Sequence, residues 1–128
     1  MNALFQFGKI KFPSAGLLSC SRHRGWNGLG AELRTHPRGE IPAICSEQME
    51  ITLATRNATE GWVERRGAGS YQKTAVRHGT LWLCPIGVEE DSIRITAPLP
   101  EILHLYVPRS QFQHLSDFVT VLHVAPLE

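Results

Sequence analysis

The sequence predicts an all-β domain, arranged as an antiparallel barrel or sandwich, with one short helix near its C-terminal end. Short runs rich in β-branched and aromatic residues recur along the chain, and Gly, Pro, Asn and Asp separate them. The connections between these runs are too short to hold helices. Strands that follow one another through short turns favour antiparallel pairing over a parallel sheet.

The predicted strands differ in how much of each we expect to be buried. The run from Leu81 to Cys84 is continuously apolar and indicates a buried strand, whereas 92–96 alternates and places Ile93 and Ile95 on one face. Turns rich in Gly, Pro, Asn and Asp separate successive strands. The predicted strands are 51–55, 61–66, 71–76, 81–84, 92–96, 102–107 and the β-branched segment 119–124.

One segment, 108–119, has the apolar spacing of an amphipathic helix. Pro108 suits its first turn, because a missing N–H loses no hydrogen bond there. Phe112, Leu115 and Val119 then share one face of the helix. This apolar stripe either docks on the strands or pairs with a second copy of the chain. Two such short stripes bury little area, so the sequence predicts at most a weak homodimer.

Length, charge and cysteine content exclude several classes of protein. The chain has 128 residues, the length of a single domain. Its net charge of +1 lacks the basic excess of a duplex-binding module, so we expect no direct nucleic acid binding by this chain alone. No apolar run approaches the roughly 18 residues of a membrane span. Cys20, Cys45 and Cys84 form no C-x-x-C pair and too small a set for a disulfide framework, so we expect a cytoplasmic protein.

The segment from Gly79 to Glu90, GTLWLCPIGVEE, carries a specific spacing of turn residues. It resembles the second motif of the cupin superfamily, G-x5-P-x-G-x2-H, with Gly79, Pro85 and Gly87 in place. The first Gly permits a positive φ where the strand begins, and Pro-x-Gly makes the tight turn that follows it. The resemblance implies a cupin-like double-stranded barrel or sandwich. The last motif position, a metal-binding His in cupins, is Glu90 here.

The first cupin motif, G-x5-H-x-H, is represented without its histidines. Counting from Gly39 places Cys45 and Glu47 where the motif has His. A thiolate and two carboxylates, from Cys45, Glu47 and Glu90, are able to hold a divalent ion. We expect no metal and no other cofactor, since cupin-like metal chemistry usually needs several imidazoles. The alternative is a small metal-dependent cupin enzyme, such as an isomerase or oxygenase.

Three further stretches resemble the effector-binding domain of AraC-type bacterial transcription regulators. They are 25–29 followed by Glu32, the P-x-G-E-x-P-like turn at 37–42, and 101–106 followed by Pro108. The resemblance implies a small-molecule-sensing domain without catalytic residues. The sequence after His114 is too short for the helix-turn-helix region of such regulators, so DNA binding would belong to a partner or to another domain. A structural or dimerisation module with a filled barrel is a further alternative.

The implied organisation is one domain over the whole chain. An N-terminal arm would be free to contact a partner, a barrel would hold the ligand, and the helix would follow it. The final Leu127 and Glu128 are typical of residues added for expression. The predicted boundaries are 1–20 for the arm, 22–107 for the barrel, 108–119 for the helix and 1–128 for the domain.

Aromatic and imidazole side chains on two predicted strands are the candidate ligand-binding residues. His104 and Tyr106 share one strand face, as do Trp82 and Cys84. If these faces line the barrel, they supply an aromatic platform and hydrogen-bonding groups for a small ligand. The alternative is that Trp82 and Tyr106 are core residues, and for Tyr106 we favour the core.

Glu32, Arg34 and His36 alternate with Leu33 and Thr35 along a predicted strand. Charged side chains in such a strand usually face water, and this is the interpretation that we favour. The alternative is that they face the barrel interior, with Glu32 or Arg34 at the rim of the pocket. The remaining histidines and the Arg65–Arg66 pair are predicted to lie at the surface.

Overall fold

The computed structural model describes residues 15–41, 44–45, 48–58, 60–67, 69–87, 89–111 and 126–127. This part of the chain forms eleven strands. No helix in it is long and apolar enough to cross a membrane. The strands are β1 (Gly16–Cys20), β2 (Gly30–His36), β3 (Gly39–Ile41), β4 (Ile44–Cys45), β5 (Gln48–Ala54), β6 (Trp62–Gly67), β7 (Ser70–Ala75), β8 (Leu81–Cys84), β9 (Glu89–Ile95), β10 (Leu99–Pro108) and β11 (Pro126–Leu127).

The strands form two antiparallel sheets. The first sheet has six strands in the order β1-β2-β10-β5-β8-β11. The second has the order β3-β9-β6-β7, and β4 also pairs with β9. Neighbouring strands pair antiparallel, as the short turns predict. The predicted all-β antiparallel fold is therefore confirmed.

The apolar core lies between the two sheets. Ile93 and Ile95 are both buried, which confirms the face predicted from the alternation in β9. Trp82, on the strand predicted to be buried, belongs to the same core. The core cluster consists of Ile41, Ala54, Val63, Val76, Trp82, Ile93, Ile95, Leu99 and Ile102. Each sheet is thus apolar on its inner face over this region, and burying that face drives the two sheets together.

The glycines of the β8 motif have the backbone conformation that the sequence predicts. Gly79, just before β8, has a φ of 96°, and Gly87, just after it, has a φ of 79°. A side chain disfavours this region of φ, which explains glycine at both positions. These two turns set the ends of β8 and return the chain into β9.

The two ends of the predicted barrel differ from expectation. Residues 16–20, predicted as part of a free arm, form β1 and pair with β2. Strand β10 continues through Pro108, so the helix does not begin there, and a 3-10 turn follows at 109–111. Pro108 is tolerated because the last residue of a strand can do without a ladder donor. The stripe at 112–119, the strand at 119–124 and residues 1–14 lie outside the described residues, so the weak homodimer stays a prediction.

Candidate ligand-binding cavity

The register of the first sheet places polar side chains in a row across its inner face. His104 on β10 lies opposite Glu32 on β2 and opposite Thr52 on β5, and Thr52 lies opposite Trp82 on β8. Residues two positions apart on a strand share a face. Arg34, His36, Glu50 and Tyr106 are accordingly buried on the same side of the sheet as this row. One part of the sandwich interior is therefore polar, beside the apolar core.

Glu32, Arg34 and Tyr106 form the first polar cluster. The Glu32 carboxylate accepts hydrogen bonds from Arg34 Nε at 3.1 Å and Arg34 Nη2 at 3.0 Å, a two-pronged ion pair. It also accepts the Tyr106 hydroxyl at 2.7 Å. Burial, with the carboxylates of Glu50 and Glu32 nearby, raises the pKa of Tyr106 far above its usual range. The phenol therefore stays protonated and acts as a donor.

Arg34 also ties this cluster to the N-terminal end of the described chain. Its Nη1 donates to the backbone carbonyl of Ala15 at 3.2 Å, just before β1 begins. Tyr106 lies near the C-terminal end of β10, which ends at Pro108. The buried cluster thus contacts the residue that precedes β1 and includes a residue near the end of β10.

His36, His104 and Glu50 form the second polar cluster. His36 Nε2 lies 2.8 Å from His104 Nε2, and the rings meet edge to face with their centres 5.0 Å apart. On its other side, His104 Nδ1 lies 2.7 Å from Glu50 Oε2. Thr52 Oγ1 donates to the same carboxylate oxygen at 3.0 Å. These contacts make a continuous chain of hydrogen bonds from β5 through β10 to β2.

A cavity lies between this second cluster and the apolar core. It leaves about 60 Å³ for the centres of water-sized molecules, several times what a single water needs. Its walls combine aliphatic side chains with a few polar groups, the composition of a small-ligand pocket. The lining residues are His36, Ile41, Glu50, Thr52, Val63, Arg65, Trp82, Cys84, Ile93, Ile95, Leu99, Ile102 and His104.

Trp82 borders this cavity with an unsatisfied donor. The residue is 5% exposed, and its indole Nε1 has no hydrogen-bond partner among the described residues. A buried N–H left unpaired costs about 1–3 kcal/mol, so such groups normally meet an acceptor. A ligand or water in the adjoining cavity would supply that acceptor.

Arg65 closes the cavity from the second sheet. It is 4% exposed, and its Nη2 donates to the backbone carbonyl of Leu83 on β8 at 2.9 Å. A side chain from β6 thereby bridges the two sheets across the interior. The cavity wall consequently contains a guanidinium on one side and the Glu50 carboxylate on the other.

The structure brings some of the predicted ligand-binding residues to the cavity and separates others from it. Trp82 and His104 both line it. Tyr106 is fully buried within the first cluster, bonded to Glu32, and is not among the residues that line the cavity. The favoured expectation that Glu32 and Arg34 face water is wrong, because they are 1% and 5% exposed. They face the interior, as the alternative holds, and are not among the residues that line this cavity. They are tolerated inside because each satisfies the other's charge and hydrogen bonds.

Sequence reasoning missed the acidic and basic side chains of the cavity wall other than His104, namely His36, Glu50 and Arg65. His36 and Arg65, predicted to lie at the surface, are buried, and Glu50 was not identified at all. The only local signal was the spacing of Glu32, Arg34 and His36, which share one strand face. That signal becomes informative only when the partner strands are known.

The described residues do not fit the metal that a cupin fold usually implies. His36 and His104 direct their Nε2 atoms at each other instead of at a common point. Within the described residues, no group of three or more His, Cys, Asp or Glu is placed to hold a metal ion. Strand pairing sets Ile44 opposite Glu90 and Cys45 opposite Glu89, which puts Cys45 and Glu90 on neighbouring strands. Their side chains, and all of Glu47, lie outside the description.

The arrangement of the two sheets is similar to that of several solved structures. The EutQ protein of Clostridium difficile matches with a TM-score of 0.53 and 12% identity, over 73% of this chain and 66% of that one. A deletion mutant of Bacillus subtilis oxalate decarboxylase OxdC matches with a TM-score of 0.54 and 18% identity, over 73% and 25%. The fold is cupin-like. This confirms the fold that the motif at 79–90 predicts.

Protein NMB1881 from Neisseria meningitidis has a similar arrangement, with a TM-score of 0.51 and 15% identity over 84% of this chain and 98% of that one. Identities this low establish the shared fold alone. The chain also spans about two thirds of EutQ and a quarter of OxdC. No family model and no curated protein matches the sequence significantly. Function must accordingly be argued from the cavity itself.

Proposed function

We propose that this chain is a non-enzymatic small-molecule-sensing domain that binds its ligand in the cavity between the sheets. The observation that carries the proposal is the indole N–H of Trp82, buried beside the cavity without a partner among the described residues. A filled core would leave no reason to keep a donor there, since an apolar aromatic ring would pack as well. A ligand with an acceptor atom accounts for both the donor and the space.

The size and walls of the cavity limit the ligand. The space open to the centres of water-sized molecules is about 60 Å³, which suits a ligand of a few heavy atoms. Most of its wall is aliphatic, with Arg65, Glu50 and the two histidines as the charged or polar groups. A small molecule with an apolar body and one polar group matches these walls best.

The contacts of the buried clusters support a sensing role. Arg34 donates a hydrogen bond to the carbonyl of Ala15. Tyr106, which is close to the end of β10, donates one to Glu32. His104, which lines the cavity, stacks with Tyr106 at a ring separation of 6.3 Å. A ligand that binds one arrangement of these side chains more tightly would increase the population of that arrangement. The conformation of the chain at Ala15 and at the end of β10 would change with it. The chain segments next to Ala15 and next to the end of β10 would report the ligand to a partner.

This role is similar to that of the effector-binding half of an AraC-type regulator in a bacterial cytoplasm. The support is the resemblance at 25–29, 37–42 and 101–106 together with the cupin-like fold. With a net charge of +1, the chain would leave contact with DNA to a partner or to another domain. Ligand binding would then regulate transcription through that second component.

A thermal-shift screen of small metabolites against the purified protein tests the proposal. A ligand at one hundred times its dissociation constant stabilises the native state by about 2.7 kcal/mol, which raises the melting temperature by several degrees. We expect at least one compound to do so in a concentration-dependent manner. The same compound should change hydrogen exchange in residues 15–20, because Arg34 connects Ala15 to the buried cluster.

The matched controls are two tryptophan variants. Trp82→Phe keeps an aromatic ring at the cavity and removes its N–H, so it should weaken the stabilisation by the ligand. Trp62→Phe removes the N–H of a side chain that is 41% exposed on the opposite sheet, and it should leave the stabilisation unchanged. A broad screen without any stabilising compound would favour the structural-module alternative instead.

A further inference from the structure

Three large apolar side chains are exposed close together, outside the cavity. Leu17 is 48% exposed, Leu18 is 53% exposed and Trp26 is 47% exposed. The other exposed large apolar side chains among the described residues are Trp62 and Tyr71 on the second sheet, and each lies beneath a cationic side chain. Single exposed apolar residues are normal, whereas a group of them marks an interaction surface.

The two leucines belong to β1, an edge strand of the first sheet. The pairing of β1 with β2 shifts between Leu17 and Ser19, so Leu18 has no residue opposite it on β2. An extra residue in one strand interrupts the regular alternation of its side chains. Together with the edge position, this leaves both leucines exposed on a strand that has no charged residue.

The loop after β1 holds a basic and an aromatic side chain beside that strand. Ser21 is buried; its N–H donates to the carbonyl of Ala31 at 2.9 Å, and its hydroxyl accepts the N–H of Ala31 at 2.9 Å. The N–H of Arg24 donates to the carbonyl of Ser21 at 3.0 Å, which closes a turn. Arg24 and Trp26 then line the same groove as Ser19 of β1.

The charge of this region has one sign. Arg22 and Arg24 are exposed in the loop. The first 31 residues of the chain contain four basic residues and no acidic one, whereas the remaining 97 contain nine basic and twelve acidic residues. The first acidic residue, Glu32, is buried and paired with Arg34. A local excess of positive charge beside exposed apolar groups attracts an anionic surface.

A membrane fits this combination better than a protein partner does. A stable protein interface usually takes about 20–30 residues from each side, and the surface formed by residues 17–26 is smaller than that. A lipid interface requires no complementary shape. Tryptophan and leucine side chains enter the headgroup region, and basic residues are attracted to anionic lipids.

We propose that residues 17–26, the β1 surface, dock reversibly on an anionic membrane surface. Leu17, Leu18 and Trp26 enter the headgroup region, and Arg22 and Arg24 contact lipid phosphates. Each basic residue near such a surface strengthens binding about fivefold, and burial of the apolar side chains adds to it. The attachment requires no ligand in the cavity, so it goes beyond the proposed sensing function and can fail separately from it.

Sedimentation of the whole chain with lipid vesicles tests the proposal. One set of vesicles contains phosphatidylcholine alone, and the other contains phosphatidylcholine mixed with anionic phosphatidylglycerol. We expect the mixed vesicles to bind the protein at least about tenfold more tightly, because two arginines contribute. High salt should remove most of that difference, since it screens exposed charges. Tryptophan emission should shift to shorter wavelengths on binding, and Trp26→Phe should lose that shift.

Two pairs of variants at exposed positions locate the docking surface. Arg24→Gln should weaken binding to the mixed vesicles about fivefold. Arg94→Gln lowers the net charge equally, but its side chain is 56% exposed on the second sheet, so it should change binding little. Leu18→Ser should also weaken binding about fivefold, because less apolar area enters the lipid. Tyr71→Ser, at a residue 51% exposed on β7, should not.

Several results would contradict the membrane proposal. Equal binding to the two kinds of vesicle, or equal losses for Arg24→Gln and Arg94→Gln, would overturn it. Binding by Leu18→Ser as tight as that of the wild type would do the same. No binding to the mixed vesicles would overturn it as well and leave the β1 surface to a protein partner. The metabolite screen tests the cavity separately, because none of the residues changed here lines it.

Discussion

Replacing Glu32 by Gln should destabilise the protein strongly, although the side chain barely changes in shape. Glu32 is 1% exposed and accepts two bonds from Arg34 and one from Tyr106. Without the charge of Glu32, the guanidinium of Arg34 stays buried with no counter-charge in this ion pair. Removing one partner of a buried ion pair lowers the free energy of unfolding by about 3–5 kcal/mol. That is a large fraction of the roughly 5–15 kcal/mol that stabilises a typical domain.

The assay is urea denaturation of the wild type and variants at one pH. Glu101→Gln is the matched control, since its ion pair with Arg56 is shorter, at 2.7 Å against 3.0 Å for Glu32 and Arg34, but 69% exposed on the arginine side. Exposed pairs contribute about 0–1 kcal/mol, so this variant should unfold near the wild-type midpoint. Adding Arg34→Met to Glu32→Gln should recover part of the loss, because it removes the unpaired charge. A loss for Glu32→Gln as small as that for Glu101→Gln would refute the reasoning.

Two further predictions concern pH and metal content. Because burial raises the pKa of Tyr106, the unfolded chain loses that proton above about pH 10 while the native state keeps it. Stability should therefore fall by about 1.4 kcal/mol per pH unit above pH 10, and Tyr106→Phe should remove that part of the fall in alkaline unfolding curves. Elemental analysis of the purified protein should find no stoichiometric transition metal. A bound metal that is lost in Cys45→Ser would instead favour the metal-dependent enzyme.

Much of the fold follows from local sequence, because turns and strand faces are local properties. The predicted strand at 81–84 has the same bounds as β8, and Gly79 and Gly87 have the positive φ that their motif requires. The alternation at 92–96 identifies the buried face of β9. The prediction that a helix begins at Pro108 was wrong, because a proline suits the end of a strand as well as the start of a helix.

The candidate site was harder to predict, because its polar residues are buried through partners that are distant in sequence. His36 is 68 residues from His104, and Glu32 is 74 residues from Tyr106. Within β2 alone, charged residues on one face and Leu33 on the other suggest the opposite orientation. The general rule that charges face water fails where two strands supply complementary partners. No local pattern contains that information.

The indole N–H of Trp82 gives the most direct test of the account's central claim. The chain has three tryptophans, and Trp26 and Trp62 are 47% and 41% exposed, which leaves Trp82 as the buried indole. In ¹⁵N-labelled protein, a compound that stabilises the fold should shift the Trp82 indole signal downfield as its hydrogen bond forms. The other two indole signals should stay in place. A shift of Trp26 alone would place the compound in the separate pocket on the outer face of the first sheet and contradict the account.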